Sequence, residues 1–134
     1  MTIEFTVSAV IPASPKEIYD AWLNSDGHTK MTGSPAHSTA IVGDPFDAWD
    51  GYISGKYLKL EPGKRIVQSW RGSSYKDSDA DSQIEVTFEP VEGGTKITLA
   101  HTNVPNDQAS HEPGWRTHCF APMQKYFGVL ADKD

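Results

Sequence analysis

Residues 113–130 read Pro113-Gly114-Trp115-Arg116-Thr117-His118-Cys119-Phe120-Ala121-Pro122-Met123-Gln124-Lys125-Tyr126-Phe127-Gly128-Val129-Leu130. Trp115, Cys119, Met123, Tyr126, Phe127 and Leu130 recur at spacings of three and four, which places them on one face of a helix. Pro113 suits the opening of that helix, where its missing N–H has no bond to lose. Pro122 lies inside it and removes the backbone bond to residue 118, so a kink is expected near the middle. One long amphipathic helix at the end of a chain needs an apolar surface to cover, and the preceding residues supply a sheet.

The N-terminal segment alternates, with Ile3, Phe5, Val7, Ala9 and Ile11 on one face and Glu4, Thr6 and Ser8 on the other. That is the pattern of a half-buried strand, and Pro12 ends it. Ser14-Pro15-Lys16-Glu17 then combines an N-cap, a proline at the first helical position and a capping-box glutamate. A helix follows to about Leu23, with Ile18, Ala21 and Trp22 facing inward. A second short helix from Ser25 or Asp26 is opposed by Gly27 and Gly33. Between His37 and Thr102, turn signals at Asp50-Gly51, Glu61-Pro62-Gly63-Lys64 and Glu92-Gly93-Gly94 separate strands over 52–60, 65–71, 83–89 and 95–102. Residues 72–82 and 103–112 read as loops. The order predicts an α+β domain of the helix-grip type over residues 1–134: a curved antiparallel sheet wrapped around a long C-terminal helix, with one or two short helices after the first strand. A grip of this kind leaves a pocket between sheet and helix.

Composition narrows the function classes. The chain has 134 residues, 37% hydrophobic and 22% charged, with four Trp, five Tyr and five Phe, which suits one globular core. A net charge of −6 repels a phosphate backbone and an anionic bilayer, so nucleic acid is not an expected partner. No window is long and apolar enough for a membrane span, and residues 1–4 do not open a signal peptide. The single cysteine, Cys119, forms no internal disulfide, and a cytoplasmic location is expected, as a monomer or homodimer.

The run Phe46-Asp47-Ala48-Trp49-Asp50-Gly51-Tyr52-Ile53-Ser54-Gly55 and the run from Leu60-Glu61-Pro62-Gly63-Lys64 to Trp70-Arg71 resemble a known family. So do Gly94-Thr95-Lys96-Ile97-Thr98-Leu99, Asn103-Val104-Pro105, Gly114-Trp115-Arg116 and Tyr126-Phe127-Gly128. In order and spacing these segments are similar to the C-terminal domain of the activators of the 90-kDa heat-shock-protein ATPase. The resemblance spans nearly the whole chain. It implies the START-like, birch-pollen-allergen-like superfamily, whose members often bind hydrophobic small molecules and are sometimes enzymes. It also implies a 90-kDa-type chaperone as a partner. The eukaryotic activators carry an additional N-terminal domain with an Asn- and Trp-rich chaperone-contacting motif, which these residues do not show. Chaperone contact therefore ranks second to binding of an apolar small molecule or lipid.

Candidate ligand-cavity residues are Trp49, Tyr57, Trp70, His101, Trp115, His118 and Cys119. The aromatic groups offer apolar walls with polar edges, and the competing reading is that they fill a core. His118 could act as an acid or base, yet no nucleophile elbow, carboxylate pair or phosphate loop accompanies it, and no catalytic residue is assigned. His101, His111, His118 and Cys119 match no metal-ligand spacing, and Asp77, Asp79 and Asp81 lack the calcium-loop pattern, so neither a metal nor a cofactor is expected. Cys119 reads as a small buried apolar residue unless it is exposed beside a cation.

Overall fold

The computed structural model describes residues 2–32, 36–39, 41–49, 51–73, 75–108 and 111–132; the side chains of Asp107 and of residues 129–132 are outside the description. In chain order the elements are β1 (Thr2–Ile11), α1 (Pro15–Leu23), α2 (Ser25–Thr32), β2 (Pro45–Ala48), β3 (Ile53–Glu61), β4 (Arg65–Gly72), β5 (Ser82–Val91) and β6 (Gly94–Pro105). A 3-10 turn (Asn106–Gln108) then leads to α3 (His111–Trp115), a π-helical turn (Arg116–Phe120) and α4 (Ala121–Asp132).

The six strands form one antiparallel sheet in the order β1-β6-β5-β4-β3-β2, curved in the manner of a helix grip. Because β1 and β2 lie at opposite edges, the chain must cross the whole sheet between them, and α1 and α2 make that crossing. Register shifts between Ile3 and Phe5 and between Tyr57 and Lys59 interrupt the ladders, and such irregularities sharpen bending and twist.

Local chemistry explains the first half of the chain. The Ser14 hydroxyl accepts from the Glu17 N–H, and the Glu17 carboxylate accepts from the Ser14 N–H, a complete capping box. Despite its glycine, α2 forms, because the Asn24 side chain accepts from Gly27 N–H and Met31 is fully buried. The two-residue turn at Glu92-Gly93 has Gly93 at φ +87°, a conformation that costs glycine nothing. Asp50, half of another expected turn, lies outside the described residues.

Several features differ from the sequence-based expectation. A short sixth strand, β2, pairs Pro45–Ala48 with β3; four residues opened by a proline carry too little alternation to be recognised. β6 runs on to Pro105, and the closing helix begins at His111, which puts Pro113 inside the first turn, where proline is also tolerated. The discontinuity expected at Pro122 takes the form of the π-helical turn just before it, with Ala121 N–H bonded to the Arg116 carbonyl. The loop over 72–82 is less polar than its composition: Tyr75 is buried, and Arg71 donates to the carbonyls of Lys76 and Asp79 to hold it.

Between the sheet and the closing helices lies one core. Val7 and Ile11 of β1, Ile84, Val86 and Phe88 of β5, and Ile97 and Leu99 of β6 meet Trp115, Cys119, Phe120, Met123 and Phe127. Strand alternation carries the inward row of β6 on to His101, opposite Ile84 of β5, which in turn stands opposite Gln68 of β4.

Candidate functional site

At the β2–β3 end of the sheet, a cleft of about 170 Å³ lies between the strands and α3. Its walls are Trp49, Tyr52 and Ile53 from the entry to β3, Trp70 from β4, His111, Gly114 and Trp115 from α3, and His118 from the π-helical turn. Three of the four tryptophans therefore converge: ring centroids are 5.3 Å apart for Trp70 and Trp115, 5.7 Å for Trp49 and Trp115, and 6.3 Å for Trp49 and Trp70. Trp22 stacks on Trp115 at 6.4 Å, and its indole N–H donates to Gln68.

Trp49 reaches the cleft from an unusual backbone conformation. Its φ of +49° lies in the left-handed region, which costs a non-glycine residue about 1–2 kcal/mol. The Tyr52 N–H bonds the Trp49 carbonyl and closes the turn that holds it there. Strain kept at a residue that lines a cleft is a recurrent mark of functional positions.

Behind the cleft, a chain of hydrogen bonds fixes its floor. The Trp115 indole N–H donates to His101 Nδ1 at 3.1 Å. Since indole only donates, Nδ1 is the acceptor and the proton of the neutral ring sits on Nε2, which donates to Ser82 Oγ at 2.8 Å. Ser82 in turn donates to the Trp70 carbonyl, and the Tyr75 hydroxyl donates to Ser82. Burial first, and the nearby His111 second, push the His101 pKa down to about 3, so the ring stays neutral and the chain stays intact at ordinary pH.

His111 is placed differently. It packs edge-on to Trp70 with centroids 4.9 Å apart, and lies near-parallel to His101 at 5.8 Å. Burial lowers its pKa. Among the described residues, its Nε2 is the buried side-chain polar atom without a hydrogen-bond partner.

The seven candidates from sequence separate into two groups. Trp49, Trp70, Trp115 and His118 line the cleft, with His118 exposed at its rim. Tyr57, His101 and Cys119 do not form its walls. Tyr57 packs on Phe46 and shares a 2.5 Å hydrogen bond with Ser38, His101 belongs to the network behind Trp115, and Cys119 is buried with its thiol 3.7 Å from Met123 sulfur. Burial raises the Cys119 thiol pKa strongly, which leaves it a poor nucleophile. Sequence reasoning missed Tyr52, Ile53, His111 and Gly114. A helix started at His111 would have revealed one of them, since His111 and Trp115 are then one turn apart. Among the described residues no cluster of His, Cys, Asp or Glu is placed to hold a metal ion, and no helix is long and apolar enough to cross a membrane. The cleft offers imidazoles and a phenol on apolar walls, an arrangement suited to holding a small molecule.

Comparison with known proteins places this architecture. The family model described as activator of Hsp90 ATPase homolog 1-like protein matches residues 12–128. The human activator of 90 kDa heat shock protein ATPase homolog 1 is 28% identical over 97% of this chain, and the Dictyostelium discoideum activator homolog is 30% identical over 85% of it. The chain spans only 38% and 32% of the lengths of these two relatives. Among solved structures, a Plasmodium falciparum protein described as an HSP90 activator superposes with a TM-score of 0.84 at 23% identity, covering 94% of this chain and 96% of that one. The Aha1 dimer from Colwellia psychrerythraea gives 0.77 at 22% identity, with 93% and 96% covered.

Proposed function

The chain belongs to the activator of Hsp90 ATPase homolog 1-like family, and from that premise we propose that it binds a small apolar molecule in the tryptophan-lined cleft. The convergence of Trp49, Trp70 and Trp115 around open volume carries this reading. Protein interiors pack to crystal density. A fold that needed these rings only as core would close over them. The volume sets how much the cleft can enclose: a dry apolar cavity of about 150 Å³ accommodates benzene, so a group of about one ring fits within it.

Gly114 provides the test. A Cβ built there meets no atom within 4 Å, so Gly114→Leu adds a side chain at the cleft wall without a built-in clash. Titration with small apolar aromatic compounds, followed through the tryptophan indole N–H resonances, should saturate in the parent. Binding should be lost in Gly114→Leu at unchanged melting temperature. Non-saturable shifts, or binding indifferent to the substitution, would remove the ligand reading.

Contact with a 90-kDa-type chaperone is the second reading, supported by the names its relatives carry. Binding energy concentrates in accessible anchors, so the exposed turn at Lys64 is a better candidate surface than the buried aromatics. Mixing the protein with such a chaperone and following ATP turnover tests it, and clear stimulation would raise this reading above the first.

A further inference from the structure

We infer that the first turn of α3 is an acid-operated latch: when the imidazole of His111 takes up a proton, that end of α3 moves off Trp70 and the cleft widens while the rest of the fold stays closed. The movement concerns the wall of the cleft and is independent of what the cleft holds. In the closed form His111 sits among rings. Trp70 of β4 meets it edge-on with centroids 4.9 Å apart, Tyr75 lies 5.8 Å away, and His101 of β6 is near-parallel at 5.8 Å. Its Nε2 is buried without a hydrogen-bond partner. A neutral imidazole can place a lone pair there, but a protonated one donates from both nitrogens. Nε2 would then carry an N–H and a share of positive charge with no acceptor, and an unpaired buried charge costs far more than an unpaired neutral group.

The titratable and charged groups around His111 give that charge no relief. The Tyr75 hydroxyl bonds Ser82, and both nitrogens of His101 are engaged by Trp115 and Ser82. Arg71, 5.7 Å from the Tyr75 ring, is itself a cation. On β1 the one charged residue, Glu4, is exposed, as are Arg116 and His118 of the π-helical turn. Glu112, next along α3, is turned about 100° from His111. Burial accordingly lowers the His111 pKa.

α3 is the element that yields. It has five residues, one of them Gly114, and a helix so short has no stability of its own, so packing of His111 and Trp115 holds it in place. The Trp115 end is fixed by contacts with four rings and by the bond to His101. His111, one turn earlier, has no such bond at Nε2. Gly114 lies between them with no side chain, so the backbone can bend there at little steric cost. Because His111 and Trp70 both line the cleft, parting them enlarges it. His101 is not the trigger, since its pKa of about 3 keeps it neutral over mildly acidic pH. Once outside, His111 regains an ordinary value near 6.5, whereas the closed form refuses the proton. The ratio of open to closed forms therefore rises as pH falls below 6.5, by at most about tenfold per pH unit for one proton, and the latch is shut above it.

A reversible titration of the full chain from about pH 7.5 to about pH 4.5 tests the latch, spanning the ordinary histidine range. Acrylamide quenching of tryptophan fluorescence reads the cleft, far-UV circular dichroism reads the fold, and NMR follows the His111 ring and the Trp70 and Trp115 indole N–H signals. In the parent, quenching should rise and the two indole signals shift along the His111 titration, with a midpoint below 6.5 and an unchanged circular dichroism spectrum. His111→Phe keeps a ring that cannot be protonated, and His111→Gln stands in for it if that variant does not fold. In whichever variant is native at neutral pH, quenching should stay flat. A rise that survives the substitution assigns the transition to another group, such as His28 against Trp22, and overturns the latch. A flat parent overturns it as well, and so does a rise that coincides with loss of the circular dichroism signal, which would be global unfolding.

Discussion

Trp115 joins the core to the cleft, and its removal should be among the most damaging single changes in the chain. The side chain is 3% exposed, meets Trp22, Trp49, Trp70 and His101 by its ring, and donates its indole N–H to His101. Truncation of a buried tryptophan to alanine costs about 3–5 kcal/mol. In Trp115→Ala the acceptor Nδ1 of His101 also loses its donor while still buried, which adds about 1–3 kcal/mol. The total of about 4–8 kcal/mol stands against a whole-domain stability of about 5–15 kcal/mol. Trp115→Phe separates the two contributions: most of the ring remains, and the loss should approach the about 1–3 kcal/mol of the orphaned nitrogen. Val86→Ala, at a fully buried position remote from the network, serves as an apolar reference at roughly 2 kcal/mol. Urea midpoints should therefore fall in the order parent, then Val86→Ala and Trp115→Phe together, then Trp115→Ala. For a slope of about 1–3 kcal/mol per molar urea, the alanine variant should lose more than about 1 M. If Trp115→Ala costs less than Val86→Ala, or Trp115→Phe matches the parent, the residue is neither a core element nor the anchor of the His101 network.

Acid should destabilise the fold through its buried histidines. The folded pKa of His101 is about 3 against 6.5 for the free side chain, so as pH falls below 6.5 the unfolded chain takes up a proton that the folded chain refuses. Stability should drop by about 1.4 kcal/mol per pH unit from this group alone until the pH nears the folded value. His28 and His111, both lowered by burial, add in the same direction. Urea midpoints followed down to about pH 4.5 should show this slope and a shallower one in His101→Gln, and a flat profile in the parent would refute it. Cys119 is 1% exposed, its pKa raised by burial, so iodoacetamide should label it only after denaturant unfolds the chain; rapid labelling of the native protein would show that the closing helix opens.

Much of the framework is legible in local chemistry. Ser14, Pro15 and Glu17 announce α1 because a capping box is satisfied entirely by neighbours within one turn. The alternation of β1, β5 and β6 follows the pleat, and it places Val7, Val86 and Leu99 inward with no knowledge of the partner strands. The convergence of Trp70 and Trp115 follows from the same logic, since one lies on an inward strand position and the other on the inward face of the closing helix. Tyr57 shows the limit of that logic. Its inward orientation is correct, but inward on a curved sheet means different things at different strands, and at β3 it means Phe46 and Ser38 rather than the cleft. His111 shows the converse, a polar residue two positions before a proline that reads as loop until the helix is seen to begin at His111 itself.

Residue type and periodicity alone determined that this chain forms an α+β helix grip with one long closing helix, because turns, caps and apolar stripes are set by neighbours in sequence. Tertiary structure alone decided where that grip is open. The cleft is formed by α3, by the π-helical turn that precedes Pro122 and by the entry to β3 with its left-handed backbone at Trp49. The pairing of Trp115 with His101 and the unpaired nitrogen of His111 likewise join residues from separate elements. Hydrogen bonds of that kind act over a few ångströms between segments distant along the chain, so no local pattern encodes them and only the folded packing selects which polar groups find partners.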